Sequence, residues 1–382
     1  MPIRPDVRRA RRRSPAAAAT IHDVARRAGV SVATVSRVLN RKEVVREETS
    51  RQVMVAAKSL RYVPNVAARS LSIRRSQTIG IVLPDVHGEF FSEVIRGIDL
   101  AARRERYHIL VSGSHSDAGE MLEVVDAMRG RVDGLVIMAP DVTLAPLTEL
   151  RARRVPLVLL NVILNRAAAT GDAVTIDNYG GARAMMRHLH ALGHTRIAFV
   201  RGPEHNADAR ERLRGYRHAM RGLAASSRAL EFAGDFTEES GLAAGRKVAR
   251  AALPPTAVFA ANDSMAVGVL AAFAAAGIRV PEVISVVGFD DIPVARYVAP
   301  ALTTMRVDIA ELGRRAFALL LDAITNPVAH TVRRERVATT LVVRGSCAGA
   351  NHASQKSAIQ ASTRPHRAAR GQLSGRKKGE VL

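Results

Sequence analysis

Residues Thr20 to Asn40 read TIHDVARRAGVSVATVSRVLN. Thr20 is placed to cap a first helix, with Asp23 three residues on to complete a capping-box start. Ile21, Val24, Ala25 and Ala28 recur at helical spacing and give that helix one apolar face. Gly29 and Val30 make the break, and Ser31 is a capping residue for a second helix. Val35, Val38 and Leu39 form the buried side of that helix. Val32, Ala33, Ser36 and Arg37 are left pointing outward on its first turns, on a face without acids. A second helix that presents its N-terminal side chains in this way is what a helix-turn-helix needs to reach base edges in a major groove.

Charge and length agree with a two-part protein. The 382 residues carry a formal charge of +22. Residues 1–75 hold 18 Lys or Arg against 5 Asp or Glu, and residues 346–382 hold 7 against 1. The 270 residues between them hold 32 against 29, so the body is nearly neutral and the basic excess sits at the two ends. Such an asymmetry suggests one module on a polyanion and another with a different task. Solubilising tails or a general bias towards arginine would give the same numbers at the termini. The single cysteine, Cys347, falls in the expected tail and excludes an intrachain disulfide framework. No apolar run reaches the ~18 residues of a membrane span. The Ala run within residues 1–19 is too short for a signal peptide. A cytoplasmic protein with no membrane partner is therefore expected, its first 19 residues a disordered basic arm.

After a basic turn at Arg41 and Lys42, Glu47 to Leu60 repeats Val53, Ala56, Ala57 and Leu60 at helical spacing. A third helix there closes a three-helix core, since a lone helix-turn-helix is too small to fold. Pro64 ends it. Asn65 to Leu71 (NVAARSL) reads as two short helical turns capped by Asn65, too short to be stable alone.

From residue 76 to 345, short apolar runs alternate with amphipathic segments: 79–83, 107–111, 134–138, 156–160, 173–176, 196–200, 257–260 and 284–288 as strands. Strands alternating with helices predict parallel sheets covered on both faces, with ligands beyond the C-terminal strand ends. No glycine-rich phosphate loop follows any of these strands. The polar residues at the strand ends are Asp85, Asn161, Asp177, Asn262, Asp263, Asp290 and Asp291, with Arg212 opening a helix after Val200. Acids, amides and one arginine suit a small hydroxylated or nitrogenous ligand. The same residue types also cap helices and form turns. His188, His190 and His194 share no helical face, so no metal site is expected.

The strings DVARRAGVSVATVSRVLN, YVPNVAARSL and IGIVLPDV, in this order, resemble the LacI/GalR family of bacterial transcriptional repressors, over roughly Thr20 to Gly345. The resemblance implies an all-α helix-turn-helix domain (20–64), a hinge helix and linker (65–75), and an α/β two-lobed effector domain of the type I periplasmic-binding-protein kind (76–345), followed by a disordered basic tail (346–382). It implies a homodimer on a palindromic double-stranded DNA operator, with a small-molecule effector controlling affinity. Val32, Ala33 and Arg37 match base-reading positions, Arg37 able to donate two hydrogen bonds to guanine. Thr20, Ser31, Thr34, Ser36, Asn40 and Thr49 match phosphate-contacting positions, although Thr34 also suits a place inside the module. Asn65, Ala68 and Leu71 belong to the hinge, Leu71 matching a leucine wedged into the minor groove. Arg46 departs from the family's small capping residue.

In the body, Arg212, Asn262 and Asp290 match recurrent effector positions, and Phe90 and Phe91 an aromatic pair at the cleft mouth. Asn161, Asn206 and Asp208 match more variable pocket positions. No cofactor is called for. A sugar or sugar acid is one class of effector and a purine the other. Three further readings remain at this point: a solute-binding protein of the same fold class without DNA binding, an enzyme of the doubly wound class, and a DNA-packaging protein. The helix-turn-helix counts against the first, the lack of a nucleophile-base arrangement against the second, and the near-neutral body against the third. The tail lacks the apolar heptads of a tetramerising coiled coil.

Overall fold

The computed structural model describes residues 19–40, 45–62, 75–140, 146, 148–150, 155–162, 171–221 and 229–350. Two compact units divide the chain, Met1–Ser76 and Gln77–Leu382. The expected arm, the basic turn at Arg41 and Lys42, the hinge positions Asn65, Ala68 and Leu71, and the tail beyond Ala350 lie outside the described residues.

Among the described residues the first unit holds three helices, α1 (Ile21–Ala28), α2 (Val32–Asn40) and α3 (Glu47–Ser59). The capping box forms: the Asp23 amide donates to Thr20 Oγ1 (3.4 Å), and the Thr20 amide to Asp23 Oδ2 (2.9 Å). Gly29 ends α1 at φ +65, a left-handed conformation that glycine takes without a Cβ penalty. Val24, Val35 and Val53 are fully buried, one from each helix, with Ala25, Ala56 and Ala57 around them. Val32 departs from its expected outward position. It is half-buried and packs against this core, because the first turn of α2 lies close to the start of the three-helix contact. Arg46 stands at the N-cap position of α3 and makes no side-chain capping bond.

The second unit is two parallel-type sheets with helices around them. In chain order its elements are β1 (Thr78–Leu83), α4 (Glu89–Arg104), β2 (His108–Gly113), α5 (Ala118–Met128), β3 (Gly134–Met138), β4 (Leu157–Leu160), β5 (Asp172–Ile176), α6 (Asn178–Ala191), β6 (Ile197–Val200), α7 (Ala207–Arg221), β7 (Leu230–Phe232), α8 (Glu238–Ala249), β8 (Ala257–Ala260), α9 (Asp263–Ala275), β9 (Ser285–Asp290), β10 (Thr303–Val307), α10 (Ile309–Thr325), β11 (Arg334–Val337) and β12 (Thr339–Val342). Lobe 1 has the strand order β11-β5-β4-β3-β1-β2, and lobe 2 the order β12-β10-β9-β8-β6-β7.

The chain passes between lobes three times: from β5 to α6, from β10 through α10 to β11, and from β11 to β12 across the single residue Ala338. Among the described strands all pairings are parallel except β10 with β12. That antiparallel pair departs from the all-parallel expectation, because β12 enters lobe 2 directly from a strand of lobe 1 with no helix to reverse it.

Strands β1, β3, β4, β6, β8 and β9 are almost continuously buried, as expected of strands covered on both faces. Helix α9 is apolar nearly all round. Its Gly268 faces Gly241 of α8, at a spacing that leaves no room for a Cβ on either.

The body also runs further than the expected boundary at Gly345. Ser346 is fully buried, its hydroxyl donating to the Val286 carbonyl (2.6 Å) and accepting from the Thr303 amide (2.8 Å). The Ala350 amide donates to the Leu192 carbonyl (2.8 Å). Residues 346–350, Cys347 among them, therefore belong to lobe 2 and not to the tail. Small Ser and Ala residues look solvated by composition, but here they finish the hydrogen bonding of the β9–β10 end of the sheet. Among the described residues no helix is long and apolar enough to cross a membrane.

Candidate functional site

In each lobe the strand order reverses direction at one strand, β1 in lobe 1 and β6 in lobe 2, and crevices at such switch points take ligands. The C-terminal strand ends of both lobes converge on one cleft of about 310 Å³. That volume is at the lower end for small-molecule sites. Lobe 1 contributes Asp85, Phe90, Phe91 and Asn161, and lobe 2 contributes Asn206, Asp208, Arg212, Phe236, Asn262 and Asp290. All eight predicted effector residues thus line a single cleft.

Arg212 is its most deeply set cation, 2% exposed. Nε donates to Asn178 Oδ1 (2.8 Å), Nη1 to the Ala261 carbonyl (2.6 Å) and Nη2 to Asp290 Oδ1 (2.8 Å). Its guanidinium lies 3.9 Å from the Phe289 ring centroid. A buried charge with this many partners is held rigidly in place. Asp290 sits at φ +111 on the last residue of β9. Burial pushes its carboxyl up to about 6, with Arg212 pulling it back down.

Asn178 Nδ2 donates to Asp208 Oδ1 (2.6 Å), so a buried chain runs Asp208–Asn178–Arg212–Asp290. Asn178 is not among the predicted residues. Its only mark in the sequence is its place after Asp177 at a strand end. Asp177 itself caps α6 through the Gly180 amide (3.2 Å) and is not part of the cleft wall.

The other predicted residues divide. Asn262 Oδ1 accepts from the Met265 amide (2.9 Å) and Nδ2 donates to the Phe236 carbonyl (2.9 Å), so it caps α9 and pins Phe236 while lining the cleft. Asn206 Oδ1 accepts from the Ala209 amide (3.0 Å) at the start of α7. Phe90 and Phe91 are half-buried and meet edge to face, centroids 5.7 Å apart. They both line the cleft and pack on the core. Asp263 is fully buried and accepts from the Thr304 hydroxyl (2.6 Å) and the Ile292 amide (3.0 Å), a structural role. Asp291 is bound by Arg306 and Arg344.

Asn161 differs from all of these: it is 1% exposed at φ +52, and neither side-chain atom has a hydrogen-bond partner among the described residues. Of the three histidines, His194 bonds Thr256 Oγ1 and the Ala348 carbonyl, each at 2.9 Å. Among the described residues no His, Cys, Asp and Glu group is placed to hold a metal.

In the first unit, Ala33 and Arg37 are exposed on α2, and Ser36 is half-buried. The Ser31 hydroxyl accepts from the Thr34 amide (3.1 Å) and lies 2.9 Å from the Thr34 hydroxyl. Thr34 is half-buried, as is Thr49 in the first turn of α3. No acid occupies the first turn of α2, so its positive N-terminal end is open to an anion.

A helix-turn-helix unit joined to a two-lobed cleft body defines a ligand-responsive DNA-binding regulator. Residues 20–65 match the family of bacterial regulatory proteins, lacI family, and residues 186–347 the periplasmic binding protein-like domain. The ribose operon repressor of Escherichia coli (strain K12) is 37% identical over 335 residues, covering 86% of this chain and 99% of that protein. The transcriptional regulator GalS of Salmonella typhimurium (strain LT2) is 38% identical over 306 residues, covering 79% and 89%. Among solved structures, the lac repressor dimer bound to operator and the anti-inducer ONPF aligns with a TM-score of 0.77 at 29% identity, covering 86% of this chain and 99% of that one. A LacI family regulator from Enterococcus faecium with bound ribose aligns at 0.65 and 27%, covering 72% and 100%. The chain belongs to the LacI family. It is a DNA-binding transcriptional regulator with an effector domain, not an enzyme.

Proposed function

We propose that this regulator is a repressor whose cleft binds a neutral, polyhydroxylated small molecule. The observation that carries this reading is the facing pair formed by Asn161 and Arg212–Asp290. Asn161 lacks both a donor and an acceptor partner among the described residues, and a hydroxyl group supplies both at once. The Arg212 charge is already met by Asp290, so an anionic ligand would bring a second negative charge against a buried carboxylate. That argues for a neutral sugar over a sugar acid. The Phe90, Phe91 and Phe236 rings offer apolar faces for the ring of such a ligand.

The relatives' names make D-ribose the first compound to try. In a thermal-unfolding screen of D-ribose, D-galactose, hypoxanthine and ribonate, ligand at a hundred times its Kd stabilises by about 2.7 kcal/mol. A neutral sugar is expected to shift the transition. Stabilisation by ribonate or hypoxanthine alone would overturn the reading.

On the DNA side, we assign Ala33 and Arg37 to base reading, with Val32 giving the edge of that surface. Thr20, Ser31, Thr34, Ser36, Asn40 and Thr49 contact phosphates, and Asn65, Ala68 and Leu71 enter the minor groove as a hinge. The protein acts in the cytoplasm as a homodimer on a palindromic operator. We place its domain bounds at 20–64 for the helix-turn-helix, 65–75 for the hinge and 76–350 for the effector domain. Effector binding shifts the lobes, and the hinge segments respond. Support comes from the acid-free start of α2 and from the family's shared architecture. Arg37→Ala is expected to cost about 1–3 kcal/mol and relax selectivity at one base pair. Selection from a random duplex pool measures both, and unchanged selectivity would remove Arg37 from the reading set.

A further inference from the structure

We infer that Asn178 is the positioning residue that ties occupancy of the cleft to the crossover between the lobes; its effector-dependent part rests on the function proposed above. Asn178 is the first residue of α6, immediately after the first crossover, and is 4% exposed. Its amide is committed at both ends, Oδ1 to Arg212 Nε (2.8 Å) and Nδ2 to Asp208 Oδ1 (2.6 Å). It cannot turn without leaving a buried polar group unpartnered.

The guanidinium of Arg212 is planar and rigid, so a ligand that moves its Nη edge also moves Nε. That motion is delivered to Asn178. From there it reaches two of the three crossovers. The amide of the neighbouring Asp177 donates to the carbonyl of Val337 (2.9 Å), the last residue of β11 before the third crossover. One turn further on, Gly181 lies against Thr339 at the start of β12 and against Phe289, the same ring that lies under Arg212. Arg212, Asn178 and the paired crossover segments thus form one continuous set of contacts, and the Asn178 amide is the link whose orientation is fixed from both sides.

Two measurements on the full chain test this. The first needs no ligand. Arg212→Lys keeps the charge but loses the planar fork, and is expected to raise hydrogen exchange in residues 334–342 at least tenfold. In an Asn178→Ala background the link is already cut, and Arg212→Lys is expected to add less than twofold. In an Asn178→Asp/Asp208→Asn background the acceptor for Arg212 remains and the donor and acceptor of the second hydrogen bond change places, so the tenfold effect is expected to return; this arm also serves if Asn178→Ala does not fold. Equal effects of Arg212→Lys in all three backgrounds, or in none, overturn the inference.

The second measurement uses D-ribose as the probe and a duplex selected by the protein from a random pool. For Asn178→Ala, the ratio of operator Kd with and without saturating ribose is expected to move at least fivefold towards 1, while the ribose Kd changes less than tenfold. A wild-type ratio at saturation overturns the inference. Absence of ribose binding by the wild type would instead count against the proposed effector class, and the exchange measurement then decides the role of Asn178 alone.

Discussion

Asn161 and Arg212 face the same cleft from opposite lobes and are held in opposite ways. Both are almost fully buried. Arg212 reaches a side-chain amide, a backbone carbonyl and a carboxylate, whereas Asn161 has no partner for either polar atom among the described residues. On the lobe 2 side the buried charge is met within the protein, whereas on the lobe 1 side the buried amide is not. An unpartnered buried amide costs about 1–3 kcal/mol, which a ligand that satisfies it would recover.

The largest effect is expected at the lobe 2 wall. Arg212→Ala leaves the Asp290 charge buried and alone, a loss of about 3–5 kcal/mol, read as a lower urea midpoint together with loss of the sugar response. Pairing Arg212→Met with Asp290→Asn removes both charges and should recover most of the stability but none of the binding. If the double variant is as unstable as the single one, the pair is not what holds that wall.

Asn161→Ala breaks the comparison from the other side. Removing the unpartnered amide gains about 1–3 kcal/mol, while alanine at φ +52 costs about 1–2 kcal/mol. Unfolding free energy should therefore move little, and sugar affinity should fall by the equivalent of about 1–3 kcal/mol. A stability loss like that of Arg212→Ala would mean that Asn161 is a structural residue.

Asp290 adds a pH dependence with a definite sign. Burial raises its carboxyl from an ordinary 3.8 to about 6 in the folded protein. The folded state therefore binds the proton more tightly than the unfolded one. This carboxyl's contribution to stability is present below pH 3.8 and is lost as pH rises to about 6, then level above. Asp263, also fully buried and raised by burial, contributes with the same sign. Against the wild type, Asp290→Asn should flatten the part of the stability curve between those pH values, measured by urea unfolding. An unchanged slope would show that Arg212 cancels the effect of burial, and a steeper fall with rising pH on removing Asp290 that it does more than cancel it.

What the sequence revealed follows from how local each signal is. The first unit was legible because capping residues and a glycine turn act within four positions of themselves, as at Thr20, Gly29 and Ser31. Asp290 was legible because an acid at a strand end stands out against apolar residues, and Arg212 because it matches a recurrent effector position of the family; the helix expected to open near Arg212 in fact begins at Ala207, five residues earlier. Asn178 was not, since its role depends on Asp208 and Arg212, about 30 residues away, and beside it Asp177 carries the ordinary capping role. Strands β11 and β12 escaped for a related reason: RERV and TTLV are short and only partly buried, so they carry no apolar run and are defined by the strands they join. Ser346 was misplaced because its two buried hydrogen bonds reach residues 43 and 60 positions away.

The smallest effect carries the contrast between met and unmet groups into the DNA-binding unit. Thr20 and Ser31 each satisfy a helix-start amide, but Arg46, at φ −51 and ψ 134, gives α3 no such bond. Glu47 and Glu48 in the first turn compensate in part through the helix dipole. Arg46→Ser keeps the extended backbone and adds an acceptor for the open amides, a gain of about 0.5–1 kcal/mol. It should appear as slower hydrogen exchange across Glu47–Ser59 in the full chain, with no change across Ile21–Ala28, which is already capped. Slowing in both helices would mean that the cap acts on the whole unit and not on α3 alone; no slowing in either would mean that the two glutamates already supply what the missing cap would add.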